Sequence, residues 1–193
     1  MDTNQYYQEN SEVFFESTVN VDVESLYEHF MKYVPSYGKI LDLGCGSGRD
    51  TKAFLEKGYI VDAVDGSEEL CRLASDYTGI KVQCMDFRTL DSKNKYDAIW
   101  ACASLLHLPS DELPSMLTKI NAALKDVGIV YMSFKEGEDE GWRDGRYFTD
   151  MTSKSFTEVL SKTTGFTIAE EWFSDDVRTD RTQKWYNVIL RKE

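Results

Sequence analysis

Glycine recurs at every second position in Ile40-Leu41-Asp42-Leu43-Gly44-Cys45-Gly46-Ser47-Gly48-Arg49-Asp50, between an apolar strand ending in an acid and the start of a helix. Such spacing lets the backbone take positive φ and approach a ligand that side chains would hold away. Twenty-one positions after Gly44, closing the apolar run from Tyr59 to Val64, stands Asp65, where a carboxylate can accept both hydroxyls of a ribose. These residues together describe a pocket for a nucleoside-bearing cofactor.

The loop also says which cofactor. A dinucleotide site takes Gly-x-Gly-x-x-Gly, whose last glycine allows close helix packing beneath a pyrophosphate, but the position three beyond Gly46 is Arg49. Asp42 at the mouth of the loop repels a pyrophosphate and suits a ligand with an ammonium and a sulfonium, as in S-adenosylmethionine. Asp42 to Asp50, with Asp65-Gly66-Ser67 and Met85-Asp86-Phe87, resembles the cofactor motifs of the class I S-adenosylmethionine-dependent methyltransferases, and the resemblance runs from about Tyr33 to Phe134.

That resemblance implies a cofactor wall made by Asp42, Gly44, Cys45, Gly46, Ser47, Gly48 and Arg49, with Asp65, Gly66 and Ser67 at the ribose. It places Asp86 at the adenine amino group, flanked by Met85 and Phe87. The bland alternatives are a solvated Asp65 before a helix N-cap at Ser67, a turn aspartate at 86, and an Arg49 paired with Asp50 or Glu56 rather than with the methionine carboxylate.

Methyl transfer is an in-line displacement at an activated carbon, so alignment and exclusion of water dominate. The methyl group is expected beyond the carboxyl end of the fourth strand, in Trp100-Ala101-Cys102-Ala103-Ser104, where Ala101, Cys102 and Ala103 leave room for the cofactor. His107 follows in the next loop and is either a base for a hydroxyl or thiol nucleophile or a structural hydrogen-bonder.

Acceptor recognition is assigned to two basic, aromatic segments, Lys135 to Phe148 and Asp175 to Asn187, with Arg143, Arg146, Arg178, Arg181 and Trp185 as candidates, joined by Tyr7 from the N-terminal segment. They either clamp an anionic or planar acceptor or form solvated salt bridges with nearby acids.

The elements that must position these residues alternate between strand-like and helix-like periods from 38 to 134, which predicts a parallel sheet covered on both faces. Strands are predicted near 39–43, 59–64, 80–84, 96–102 and 128–134, and helices over 50–57, 68–77 and 113–124. A Gly- and acid-rich loop follows, then a helix around 153–162 and β-type runs at 166–173 and 185–191. The resemblance implies an α/β three-layer sandwich with a mostly parallel seven-stranded sheet and an antiparallel last strand.

One domain is expected over 1–193, divided into an N-terminal helical lid (1–35), a cofactor-binding core (36–134), and substrate-side loops with a C-terminal β-hairpin (135–193). The aromatics of the first segment either pack on the core or close over the cofactor.

With 193 residues and 41% hydrophobic content the chain can bury a full core, and its net charge of −12 disfavours nucleic acid or an anionic membrane as partner. Four scattered cysteines, no Cys-x-x-Cys and no leader-like N-terminus point to a reduced, cytoplasmic protein with no metal centre, monomeric or homodimeric. The expected activity is methylation of a small acceptor at oxygen, nitrogen, sulfur or a metalloid. A non-catalytic S-adenosylmethionine-binding sensor and a nicotinamide-dependent oxidoreductase are the rival readings.

Overall fold

Side chains along a strand alternate between faces, so a strand that is apolar at every position must be covered on both sides. In the computed structural model, which describes residues 2–178 and 182–193, β1 (Lys39–Leu43), β4 (Tyr96–Ala101) and the 128–134 part of β5 (Leu124–Lys135) are mostly apolar and are covered on both sides. Ile40, Ala98, Trp100, Ile129 and Tyr131 enter one core cluster with Tyr27, Phe30 and Phe54. Leu41, Leu43, Ile99, Ala101, Val130 and Met132 enter the other, with Met116, Leu117, Ile120, Phe156 and Val159.

The helices follow from that division. α3 (Glu24–Met31) and α4 (Arg49–Glu56) cover the first face, whereas α6 (Leu113–Ala123) and α7 (Ser153–Leu160) cover the second. α5 (Glu68–Thr78) packs Cys71 and Ala74 against Ala63 and Val82, and α1 (Thr3–Glu9) and α2 (Ser11–Thr18) contact α5. With β2 (Ile60–Asp65), β3 (Gln83–Cys84), β8 (Phe166–Asp175) and β9 (Lys184–Lys192), the seven-stranded sheet runs β3-β2-β1-β4-β5-β9-β8. β9 is antiparallel to both β5 and β8 and inserts between them. The layers and the inserted last strand match the expectation. The chain order reverses between β1 and β4, the place where open sheets of this kind carry ligands.

Two elements differ from expectation. The third strand shrinks to Gln83–Cys84, because as an edge strand it finds partners only in Val64 and Asp65. The Gly-rich stretch after 135 contains a hairpin, β6 (Glu140–Arg143) and β7 (Arg146–Thr149), turned by Asp144 and Gly145 at φ 49° and 78°. Asp-Gly suits a two-residue turn in which both central residues have positive φ. Among the described residues no helix is long and apolar enough to cross a membrane.

Asp50, in the first turn of α4, ties these layers together. Its carboxylate accepts from the Tyr27 hydroxyl (2.5 Å), Trp100 Nε1 (2.7 Å) and Arg49 Nε (2.6 Å) and Nη2 (3.0 Å). Burial opposes its charge, but the Arg49 guanidinium and these donors hold the carboxyl below the usual carboxylate range. Asp50→Ala leaves a largely buried guanidinium unpaired, which should cost about 3–5 kcal/mol. Urea unfolding of the variant will measure it, and a loss under 1 kcal/mol would contradict this assignment.

Candidate active site

At the carboxyl ends of β1, β2 and β4 the chain encloses a cavity of ≈ 1050 Å³. Gly44, Cys45, Gly46, Ser47, Arg49, Asp65, Gly66, Phe87, Cys102 and Ala103 line it, as do Tyr7, His107, Arg146, Arg178 and Trp185. Most of the expected site is therefore brought together around one space.

The glycines serve different ends. Gly44, Gly46 and Gly48 all have positive φ (83°, 55° and 78°). A Cβ on Gly44 would lie 2.5 Å from Ser104 Cβ on the cavity floor, and one on Gly46 would lie 3.0 Å from the Phe14 ring. Gly48 faces away from the cavity, where a Cβ would lie 2.8 Å from Thr78 Cγ2 on α5, so it is needed for helix packing.

Asp65 latches this loop. Its two carboxylate oxygens accept from Gly46 N and Ser67 N, each at 2.9 Å, so one side chain holds both the glycine turn and the start of α5. Burial raises its pKa and these backbone donors oppose the rise. The floor is made by Cys102, Ala103 and Ser133; Ala103 takes φ 50° and donates its N–H to Ser133 Oγ at 2.8 Å. Ser104 Oγ is buried there with no hydrogen-bond partner.

Several expected residues stand elsewhere. Asp42 is 1% exposed beneath the loop, accepting from Thr51 Oγ1 at 2.6 Å, and not at its mouth. Ser67 caps α5 through Leu70 N, at 3.2 Å. Asp86 accepts from Arg88 N (2.8 Å) in the turn 87–89, Met85 packs against the core, and Ala101 is fully buried in β4. Arg143 forks onto Asp150 at 2.7 and 2.6 Å, outside the cavity wall. Arg49 lines the cavity but is paired with Asp50, and Arg181 lies outside the described residues.

The N-terminal aromatics divide between both roles considered for them. Tyr27 and Phe30 of α3 are core, whereas Tyr6, Tyr7 and Phe14 line the cavity. Helix α1 is fastened by Gln8 Oε1, which accepts from Ser67 Oγ (3.0 Å) and Glu69 N (3.1 Å), and by Thr3 Oγ1, which accepts from Tyr147 N at 3.0 Å. The Tyr7 hydroxyl meets His107 Nε2 at 2.8 Å, and His107 Nδ1 meets the Tyr147 carbonyl oxygen at 2.6 Å. A carbonyl can only accept, so Nδ1 carries the proton and Nε2 accepts from Tyr7. Burial lowers the His107 pKa to about 4, helped by Arg146 and Lys135 and opposed by the Tyr147 carbonyl.

Sequence reasoning missed Ser133 and the orphaned Ser104. A lone serine in the otherwise apolar run Val130-Tyr131-Met132-Ser133-Phe134 was the available signal.

Burial and the nearby Asp50 raise the Asp42 pKa. A carboxyl with a raised folded pKa contributes stability below its unfolded value, near 4, and loses it as pH rises through the folded one. Asp42→Asn, a neutral mimic, should therefore gain on the wild type in urea midpoint between about pH 5 and 8. A gap that narrows or reverses over that interval would contradict the shift.

A family model described as a methyltransferase domain matches residues 40–128. An uncharacterized methyltransferase of Staphylococcus carnosus is 23% identical over 156 residues, 76% of this chain and 75% of that protein. A ubiquinone biosynthesis O-methyltransferase of Coxiella burnetii is 32% identical over 100 residues, 49% of this chain and 42% of its own length, so the chain spans less than half of it. Among solved structures, Burkholderia thailandensis 1,6-didemethyltoxoflavin-N1-methyltransferase, with bound 1,6-didemethyltoxoflavin and S-adenosylhomocysteine, superposes with TM-score 0.74 at 24% identity over 97% of this chain and 84% of that one.

Proposed function

We propose that this chain is a class I S-adenosylmethionine-dependent methyltransferase that methylates a small-molecule acceptor inside the cavity, a reading supported by its sheet order and by the methyltransferase-domain match over residues 40–128. The observation that carries the reading is the Asp65 latch, which sets a carboxylate and a glycine turn side by side on the wall of one large space.

The residues present fit the cofactor. Side chains are missing at Gly44 and Gly46 where a nucleoside needs close approach, Ser104 Oγ is a buried polar atom awaiting a partner, and ≈ 1050 Å³ is ample for a cofactor together with an acceptor. When bound, S-adenosylmethionine supplies a methyl carbon activated by its sulfonium. Asp65 accepts the ribose hydroxyls, Phe87 offers an apolar face to the adenine, and the small residues Cys102 and Ala103 leave the reacting end open. Helix α1, pinned through Gln8, Thr3 and Tyr7, excludes water from that end.

A small acceptor also appears in the name of the toxoflavin methyltransferase, and a net charge of −12 disfavours a nucleic acid. Its four free cysteines suit the reducing cytoplasm.

S-adenosylhomocysteine should raise the melting temperature, since it binds only the folded chain. Asp65→Ala should weaken it by about 1.5–3 kcal/mol in calorimetry, the worth of hydrogen bonds to a charged group. Unchanged affinity in the variant would remove Asp65 from the nucleoside site. Binding without turnover of radiolabelled S-adenosylmethionine on a broad acceptor panel would favour a sensor.

A further inference from the structure

The cations gathered at the acceptor end are not equivalent. Arg143 is neutralised by Asp150, and Arg178 by Asp176, whose carboxylate accepts from Arg178 Nε at 3.2 Å and Nη2 at 3.4 Å. Arg146 has no such partner, because no carboxylate of the described residues lies within 4.0 Å of it, and its Nε is buried with no hydrogen bond. In a chain of net charge −12 with 34 acidic residues, an arginine on a cavity wall without an acid is the exception.

Aromatic rings rather than carboxylates surround that charge. The guanidinium lies over the Tyr6 ring (4.5 Å), the Phe148 ring (5.1 Å) and the Tyr7 ring (5.8 Å). His107 beside it has both ring nitrogens engaged, and the Tyr7 hydroxyl, which donates to His107 Nε2, keeps only its oxygen to offer Arg146 as an acceptor. Lys135 lines the same end, with its Nζ 4.0 Å from the Phe148 ring centre. Farther out the wall is apolar, with Trp142 and Val13 at the mouth, 55% and 71% exposed.

We propose that the acceptor is a small carboxylic acid in its ionised form, seated on Arg146 with its apolar body among the Tyr6, Tyr7 and Phe148 rings and toward Trp142. This rests on the methyl-transfer reading and adds the acceptor's class. The planar fork of a guanidinium matches the two oxygens of one carboxylate, and a neutral acceptor would leave Arg146, whose Nε is buried without a hydrogen bond, lacking a counter-charge. His107, saturated on both nitrogens, holds Tyr7 and the β7 backbone in place and takes no proton from the acceptor.

The test uses the full chain saturated with S-adenosylhomocysteine, titrated with a panel of aromatic and short aliphatic carboxylates, each beside its own primary amide. At least one acid should bind tenfold or more tightly than its amide. Arg146→Met should erase that preference and Arg146→Lys restore part of it, all three proteins keeping the same S-adenosylhomocysteine affinity. The acid's affinity should hold from pH 8 downward and fall only at the acid's own pKa. Equal binding of acids and amides, no binding by any acid, or a preference that survives Arg146→Met overturns the assignment. Weakened S-adenosylhomocysteine binding in the Arg146 variants overturns it too, by moving the residue to the cofactor. Failure of the wild type to bind S-adenosylhomocysteine would instead strike the methyl-transfer reading.

Discussion

A carboxylate taken out of water stays charged only where the fold surrounds it with donors, and Asp50 shows how many this fold supplies. Tyr27 comes from the N-terminal segment, Trp100 from the middle of the sheet and Arg49 from the adjoining position in the helix. Desolvating such a charge is expensive unless the geometry of all partners is met at once. The helix that starts at Arg49 can therefore sit in one orientation only, and the glycine turn that feeds it is fixed in consequence. Trp100 stacks on Tyr131 with ring centroids 4.1 Å apart, which carries the same constraint into β5.

Held in this way, the loop presents its backbone to the cavity, and Asp65 fastens it from the next strand. The two acids near Asp65 stand in different states for physical reasons. Asp50 keeps its charge because Arg49 faces it, whereas Asp42, buried beside Asp50 with a hydroxyl as partner, is pushed toward its neutral form. At the far end of the cavity, burial with Arg146 and Lys135 nearby drives His107 neutral.

Much of this was legible in the residues. Short, mostly apolar runs located the strands to within a few positions, because a strand buried on both faces carries few polar residues to blur it. The glycine loop and Asp65 were found for the same reason that they matter, since few sequences place glycine on alternate positions before a helix. Side-chain direction was harder to read. Asp42 and Arg49 flank the same glycine loop, yet one is buried under the loop and the other lines the cavity, a difference set by Thr51 and Asp50 through tertiary packing. The β6–β7 hairpin carried its Asp-Gly signal but lay among acids and glycines that also suit an irregular loop. No periodicity distinguishes Arg146 from Arg143, because only the position of Asp150 separates a neutralised arginine from an unpaired one.

The most direct test of the account is a crystal structure of the chain grown with S-adenosylhomocysteine. The account predicts the ribose seated on Asp65, the adenine beside Phe87, the sulfur facing Ala103, and α1 closed above them through the Tyr7–His107 contact. Nucleoside density anywhere else, or a cavity still empty at millimolar ligand, would contradict it.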